Sequence, residues 1–231
     1  HLDGSFLYPN YGIGTLFEKL EEQLDITNIH KNSRVEKIFH EQNSITSIII
    51  NNKKYNITNL ISTIPLDRFI LSLRPLPPKN IIDIVNSIKF RHVILIVIFL
   101  DKKSVNGNGS MYFPSNDFPF TRIYEPRNRS KFMSPNNKTS IVVEIPCFYS
   151  DKYWNMKEEQ LINKVNSKLI EINLFAKSEI MRTKLYRINN AYPVLEYRFT
   201  EKINKLRNYL SKFNNLKISG RNGLFAYTHI H

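Results

Sequence analysis

Residues 93–100 are eight consecutive apolar side chains, and they constrain this chain more than any other stretch. A membrane-crossing helix needs about 20 such residues, so the run is too short to span. Apolar side chains at every position match neither a half-buried strand nor an amphipathic helix. The reading that fits is a central β-strand with cover on both faces, as in a sheet layered with helices.

Shorter elements surround it. Strands are expected at 33–39, with Val35 and Ile38 inward, and at 45–50, 54–57 and 59–64, the last stopped by Pro65. Asn51 and Asn52 sit where a tight hairpin needs left-handed backbone angles, which Asn tolerates. Residues 30–65 therefore read as a small antiparallel meander followed by one buried strand. Further strands are expected at 110–114, 120–125, 139–145 and 216–219. Helices are expected at 15–24, 81–88 and 201–211, and from Glu158 onward, where Leu161, Val165 and Leu169 form an apolar stripe. Thr15 with Glu18, and Asn155 with Glu158, have capping-box spacing, and Thr200 is the expected cap of the helix at 201–211.

The proline-rich stretch 73–78 is the expected crossover between lobes. A return of the chain at its C-terminus gives three segments. Residues 1–65 and 194–231 form one domain, and 66–193 an inserted one. The fold class expected is α/β to α+β.

The net charge is +13, from 33 Lys and Arg against 20 Asp and Glu, which favours anionic partners. The chain is also crowded with Lys, Asn and Ile, so a compositional bias accounts for part of that charge. Cys147 is the single cysteine, which excludes an internal disulfide and points to a reducing, cytoplasmic setting. The six histidines are scattered apart from His229 and His231, and no metal site is expected. No signal peptide or membrane span is read. His1 and the residues around Tyr227 look like the inside of a longer protein.

Four segments, taken in order, resemble the FAD-dependent amine oxidoreductases, a group that includes amine oxidases, protoporphyrinogen oxidases and UDP-galactopyranose mutases. The first runs from Phe6 through Tyr8-Pro9 and Gly12-Ile13-Gly14 to Leu16. It is similar to the glycine loop and helix that open the second FAD-domain segment of these enzymes. The second is Asn32 to Ile38 with the later Leu60-Ile61-Ser62-Thr63-Ile64-Pro65. The resemblance implies that the backbone of Val35 meets the adenine end of FAD and that Thr63 lies close to the cofactor. A strand backbone suits that task, since its N–H and C=O groups can read a base edge.

The third segment is Phe118-Pro119-Phe120-Thr121-Arg122-Ile123-Tyr124-Glu125 with Val143-Glu144-Ile145-Pro146. It looks most like the mutase branch, in which the arginine lies near the substrate. The fourth is Ala191-Tyr192-Pro193-Val194, then Asn215-Leu216 and Gly220-Arg221-Asn222-Gly223 up to Tyr227. It resembles the glycine–arginine bend through which this group presents backbone to the FAD diphosphate, a place where a Cβ would block close approach. The group's G-x-G-x-x-G fingerprint does not occur in these 231 residues.

The resemblance implies FAD as cofactor, held by Val35, Thr63, Gly220, Arg221, Asn222 and Gly223. The inserted mixed-sheet domain would then bind a small molecule through Tyr112, Arg122, Tyr124 and Tyr192, with Arg122 on an anionic group and the tyrosines stacking or hydrogen bonding. Two chemistries fit: oxidation by hydride transfer to the flavin, and a sugar-nucleotide mutase. The alternative of another class is a basic, non-enzymatic nucleic-acid-binding module. Against it, the cations are spread along the chain rather than interleaved with aromatics on one motif.

Overall fold

The computed structural model describes residues 7–226, in two compact units. One is formed by Ile29–Lys89 with Pro193–His231, the other by His1–Asn28 with Phe90–Tyr192. Phe6, Tyr227 and the His229/His231 pair lie outside the described residues. The sequence reading draws its boundaries at 65/66 and 193/194. By compactness, residues 66–89 group with the first unit and 1–28 with the second.

In the first unit, β1 (Val35–Glu41), β2 (Ser44–Ile50) and β3 (Lys53–Asn56) form the expected meander, joined to the two-residue β5 (Leu73–Arg74) in the order β3-β2-β1-β5. Asn51 and Asn52 have φ of 48° and 62° at the β2–β3 turn. That is the left-handed pair a two-residue hairpin requires. β1 and β2 are antiparallel and β1 and β5 parallel, so this sheet is mixed.

A second, two-stranded parallel sheet joins β4 (Leu60–Ser62) to β11 (Leu216–Ile218). β4 feeds α2 (Leu66–Ser72), a helix absent from the sequence reading, whose Leu66, Phe69 and Ile70 are buried against β1 and α3 (Lys79–Asn86). The proline-rich stretch lies inside this unit and joins β5 to α3. α5 (Phe199–Leu210) packs on α3 through Phe199, Ile203, Leu206 and Leu210.

The second unit is built on β6 (Phe90–Leu100). Its sheet runs β10-β6-β9-β8-β7, with β7 (Met111–Tyr112), β8 (Arg122–Tyr124), β9 (Thr139–Cys147) and β10 (Ile180–Pro193). The β6–β9, β8–β9 and β7–β8 pairings are antiparallel. Ile94, Ile96, Ile98 and Leu100 are wholly buried with Ile141, Val143 and Ile145 under Leu161, Val165 and Leu169 of α4 (Glu158–Glu171). Each such side chain contributes about 1.5–3 kcal/mol when taken from water. The opposite face of β6 is less covered than the sequence implies: Val93, Leu95 and Val97 are half-buried and Phe99 is exposed.

The helix starts depart from the expected caps. α1 (Gly14–Glu21) begins before Thr15, whose hydroxyl donates back to the Gly12 carbonyl at 2.7 Å. Asn155 donates to the carbonyls of Tyr149 and Asp151 rather than capping α4. Arg198, in the left-handed region at φ 65°, precedes α5, so Thr200 lies within its first turn. Short polar side chains choose among several backbone partners, and spacing alone does not reveal the choice. α1 also buries none of its residues: Leu16, Phe17 and Leu20 are each more than half exposed.

Candidate functional site

In the first unit, β4 and β11 run side by side in the register Leu216–Leu60, Lys217–Ile61 and Ile218–Ser62, so their carboxyl ends are level. The Ser219 N–H extends the ladder by donating to the Ser62 carbonyl at 2.9 Å. Each strand is followed at once by a turn and a helix, α2 after β4 and α6 (Gly220–Leu224) after β11. α2 and α6 touch. Ligands of open α/β sheets bind outside the carboxyl ends of parallel strands.

At that edge Thr63 meets the glycine–arginine segment. Gly220 has φ +75°, and a Cβ there would lie 3.7 Å from the Thr63 side chain. The conformation, rather than crowding within the protein, calls for glycine at 220. Gly223 is needed for space: a Cβ would sit 3.1 Å from Ile218 Cγ2 and 3.2 Å from the Ser62 carbonyl oxygen. The segment read as a bend is thus a glycine-led short helix. It carries Arg221 and Asn222 on its exposed side, and Phe225 closes it in a left-handed conformation.

On the other side of the same β4–α2 connection, Ile64 and Pro65 line a pocket of about 460 Å³ with Ser33, Arg34, Val35 and Arg68. Thr63 is therefore flanked by the Gly220–Gly223 segment, and its successor residues by the pocket that holds Val35. Beside the pocket, Asp67 is buried and its Oδ1 has no hydrogen-bond partner among the described residues. Burial pushes its carboxyl above the usual range, opposed by the Arg68 N–H and the Arg68 charge.

Asn215, quoted only as part of a motif, holds this edge in place. Its carboxamide accepts from the Ile45 N–H and donates to the carbonyls of Ile45 and Thr58, at 2.8–2.9 Å. The sequence separations of 170 and 157 residues left no local signal for it.

The second unit carries the other predicted residues. Tyr112, Arg122 and Glu144 lie directly across from one another on β7, β8 and β9. The Arg122 fork binds Glu144 twice, Nε to Oε2 at 2.9 Å and Nη2 to Oε1 at 2.6 Å. Hydrogen bonding to Glu144 raises the guanidinium's already high pKa further, with burial opposing and Tyr112 adding to it. Arg122, expected to meet an anionic group, is here paired side-on with Glu144. Tyr124, one pleat along, lies 5.7 Å from each of the Arg122 and Arg129 guanidinium groups, and Arg129 also lies 5.9 Å from the Tyr8 ring. Such spacings suit cation–π attraction. Burial and then the Glu144 charge raise the Tyr124 pKa, against the two arginines. Tyr192 is not part of this group: it ends β10, which β6 and β9 separate from β8.

No protein-family model matches the sequence, and no curated protein sequence matches it. Solved structures do. Reduced UDP-galactopyranose mutase overlays 95% of this chain on 48% of its own, with a TM-score of 0.79 at 20% identity. A protein from Exiguobacterium sp. 255-15, provisionally named a protoporphyrinogen oxidase, overlays 96% of this chain on 49% of its own, with a TM-score of 0.75 at 15% identity. This chain shares the fold of about half of each of these two structures. Putrescine oxidase bound to putrescine shares it more loosely, with a TM-score of 0.58 at 13% identity over 75% of this chain and 38% of its own. At these identities the likeness is one of fold. This chain spans about half the length of the first two structures it matches. Among the described residues, no helix is long and apolar enough to cross a membrane.

Proposed function

We propose that this chain contributes the strand–helix edge and the substrate-facing sheet of an FAD-dependent oxidoreductase acting on a small molecule. One observation carries the reading: two parallel strands, β4 and β11, end level with each other and turn into helices, with Thr63 packed on the Gly220–Gly223 segment. That edge is where an open parallel sheet receives a dinucleotide. The backbone of Gly220–Gly223 and the side chains of Arg221 and Asn222 would hold the diphosphate, with Thr63 beside it. The pocket at Val35, with Arg34 and Arg68 on its wall, would take the adenosine end. When bound, FAD supplies hydride acceptance, and the chain's own residues supply position and charge.

The two-stranded sheet supports a larger assembly. Parallel sheets are normally buried on both faces, yet Ile61 in the middle of β4 is 71% exposed. The uncovered apolar residues of α1 point the same way. Both fit the half-length coverage of the matched structures: in this reading, further elements of the fold, including a dinucleotide-binding strand–turn–helix, cover these surfaces.

A second reading, a sugar-nucleotide mutase, is favoured by the overlay on UDP-galactopyranose mutase and by the Phe120-Thr121-Arg122-Ile123 segment. It assigns Arg122 to a substrate phosphate, with Tyr112, Tyr124 and Tyr192 around the sugar or base. The bidentate hold of Glu144 on Arg122 weighs against it.

The test is flavin content in the purified full-length protein. FAD at one equivalent, reduced in the Gly220→Val variant, is the expected result, and a colourless protein sinks the reading. Arg122→Ala separates the two chemistries. Under the mutase reading it weakens UDP binding and leaves flavin content alone.

A further inference from the structure

A second cavity in the Phe90–Tyr192 unit plays no part in the reading above. It has a volume of about 500 Å³, within the range of small-molecule sites, and lies where β6, β9 and β10 meet the loop before Lys138. Its apolar lining includes Phe99, Met133 and Met181, Ser134, Thr139 and Ser140 add hydroxyls, and its charged lining is wholly cationic: Lys138, Arg182 and Lys184. No carboxylate lines it.

Two cations elsewhere in this unit have acidic partners. Arg122 is paired with Glu144 and Lys102 with Glu179. Lys138, Arg182 and Lys184 have no acidic partner among the described residues. Three uncompensated positive charges on one concave, largely apolar surface repel one another. They are satisfied only by water, or by an anion. Long cationic stems can lie along the apolar wall while their heads converge on a bound group, and the two methionines can adapt to an apolar body of irregular shape.

We propose that this cavity binds a free small molecule with one anionic head and an apolar body, the chemistry of an alkyl carboxylate. The apolar body rests on Phe99, Met133 and Met181, and the head is held by Lys138, Arg182 and Lys184. This site is independent of flavin binding and does not rest on it.

The test titrates decanoate, below its micellar concentration, into the 231-residue chain by calorimetry. Saturable one-to-one binding is expected. Nonyltrimethylammonium, of equal tail length, should bind about tenfold more weakly or worse. The double variant Arg182→Glu/Lys184→Glu should lose about tenfold or more in decanoate affinity. Lys53→Glu/Lys54→Glu, the same charge change on the exposed β3, should lose almost none. Melting curves check that each variant folds. Should the double reversal fail to fold, Arg182→Gln/Lys184→Gln makes the same comparison. Equal loss in the two charge-matched pairs, equal binding of the cationic amphiphile, or unsaturable uptake would each overturn the proposal.

Discussion

The carboxamide of Asn215 pairs with both backbone groups of Ile45: its Oδ1 accepts from the N–H and its Nδ2 donates to the carbonyl, each at 2.8 Å. A side chain here takes the place of a strand. It ties the first residues of β2 to the residue that leads into β11, and a third bond to the Thr58 carbonyl fixes the approach to β4. The backbone follows the same seam, with Asn214 donating to Asn43 and Leu60 donating to the Asn215 carbonyl. The meander and the level strand ends of the candidate site therefore share one anchor.

Replacing Asn215 with Leu keeps the size but leaves the Ile45 N–H and two carbonyls unmet. The expected cost is about 2 kcal/mol, read by chemical denaturation. Asn215→Asp should do no better, since its carboxylate would face two carbonyl oxygens. A Leu variant as stable as the parent would show that the anchor is not needed.

The two glycines of the α6 segment fail for different reasons when substituted. Gly220→Ala forces a Cβ into φ +75° and should cost about 1 kcal/mol, while Gly220→Asn, which tolerates that region, should cost less. Gly223→Ala presses on the Ser62 carbonyl, which is already engaged by the Ser219 N–H and cannot yield freely. About 1–2 kcal/mol is expected there, with Asn no better tolerated than Ala. Denaturation midpoints of the four variants separate strain from crowding.

How much of this was legible follows from where each signal lives. The Asn51–Asn52 hairpin and β6 were readable because turn angles and side-chain burial are local. β10 was missed because its stretch from Tyr186 to Asn189 is exposed, so it shows no inward–outward alternation. Gly220 and Gly223 stood out as residues that serve chiefly through what they lack. The partner of Arg122 was invisible as such: Glu144 becomes one only through the β8–β9 register, 22 residues away. Sequence chemistry showed which groups could bind an anion, and cross-strand pairing decided which of them already had one.

Glu125 makes the same point from the core. Only 2% exposed, its carboxylate accepts from the Val105 and Asn106 N–H groups and, at 2.6 Å, from the Thr139 hydroxyl. It holds the 105–108 loop onto the end of β9. Glu125→Gln substitutes an N–H₂ for one acceptor among these donors. A loss of about 2 kcal/mol and faster amide exchange at Val105 and Asn106 are expected.

His92 gives the fold a pH dependence. It is buried on β6, its Nδ1 accepts from the Asn190 N–H at 3.0 Å, and its ring lies 3.7 Å from that of Tyr149. Burial lowers its pKa, so the folded chain keeps it neutral when the unfolded chain has begun to protonate it. The unfolded state then binds more protons, and stability falls as pH drops from about 6.5 toward the depressed native value. His40 is shifted the same way, chiefly by burial, and adds to the slope. His92→Gln, which can still accept from Asn190, should flatten the stability–pH curve in that window, and adding His40→Gln should flatten it further. An unchanged slope in both variants would rule out this linkage.

The Arg122–Glu144 pair decides what the sheet face can bind. With its Nε/Nη2 edge committed to Glu144, the guanidinium offers an incoming phosphate only its remaining Nη donors, beside a carboxylate that repels it. Glu144→Gln removes the counter-charge and leaves one acceptor, so the variant should bind UDP or pyrophosphate more tightly than the parent, by calorimetry. Arg122→Ala should abolish that gain in the double variant. After burial, the Glu144 charge raises the Tyr124 pKa, so its titration should move to lower pH in Glu144→Gln, seen as a tyrosinate absorbance difference absent from Glu144→Gln/Tyr124→Phe. If phosphate binding is equal in parent and Glu144→Gln while the Tyr124 titration moves, the pair is electrostatically coupled but lies away from the substrate. The sugar-nucleotide reading then loses its arginine.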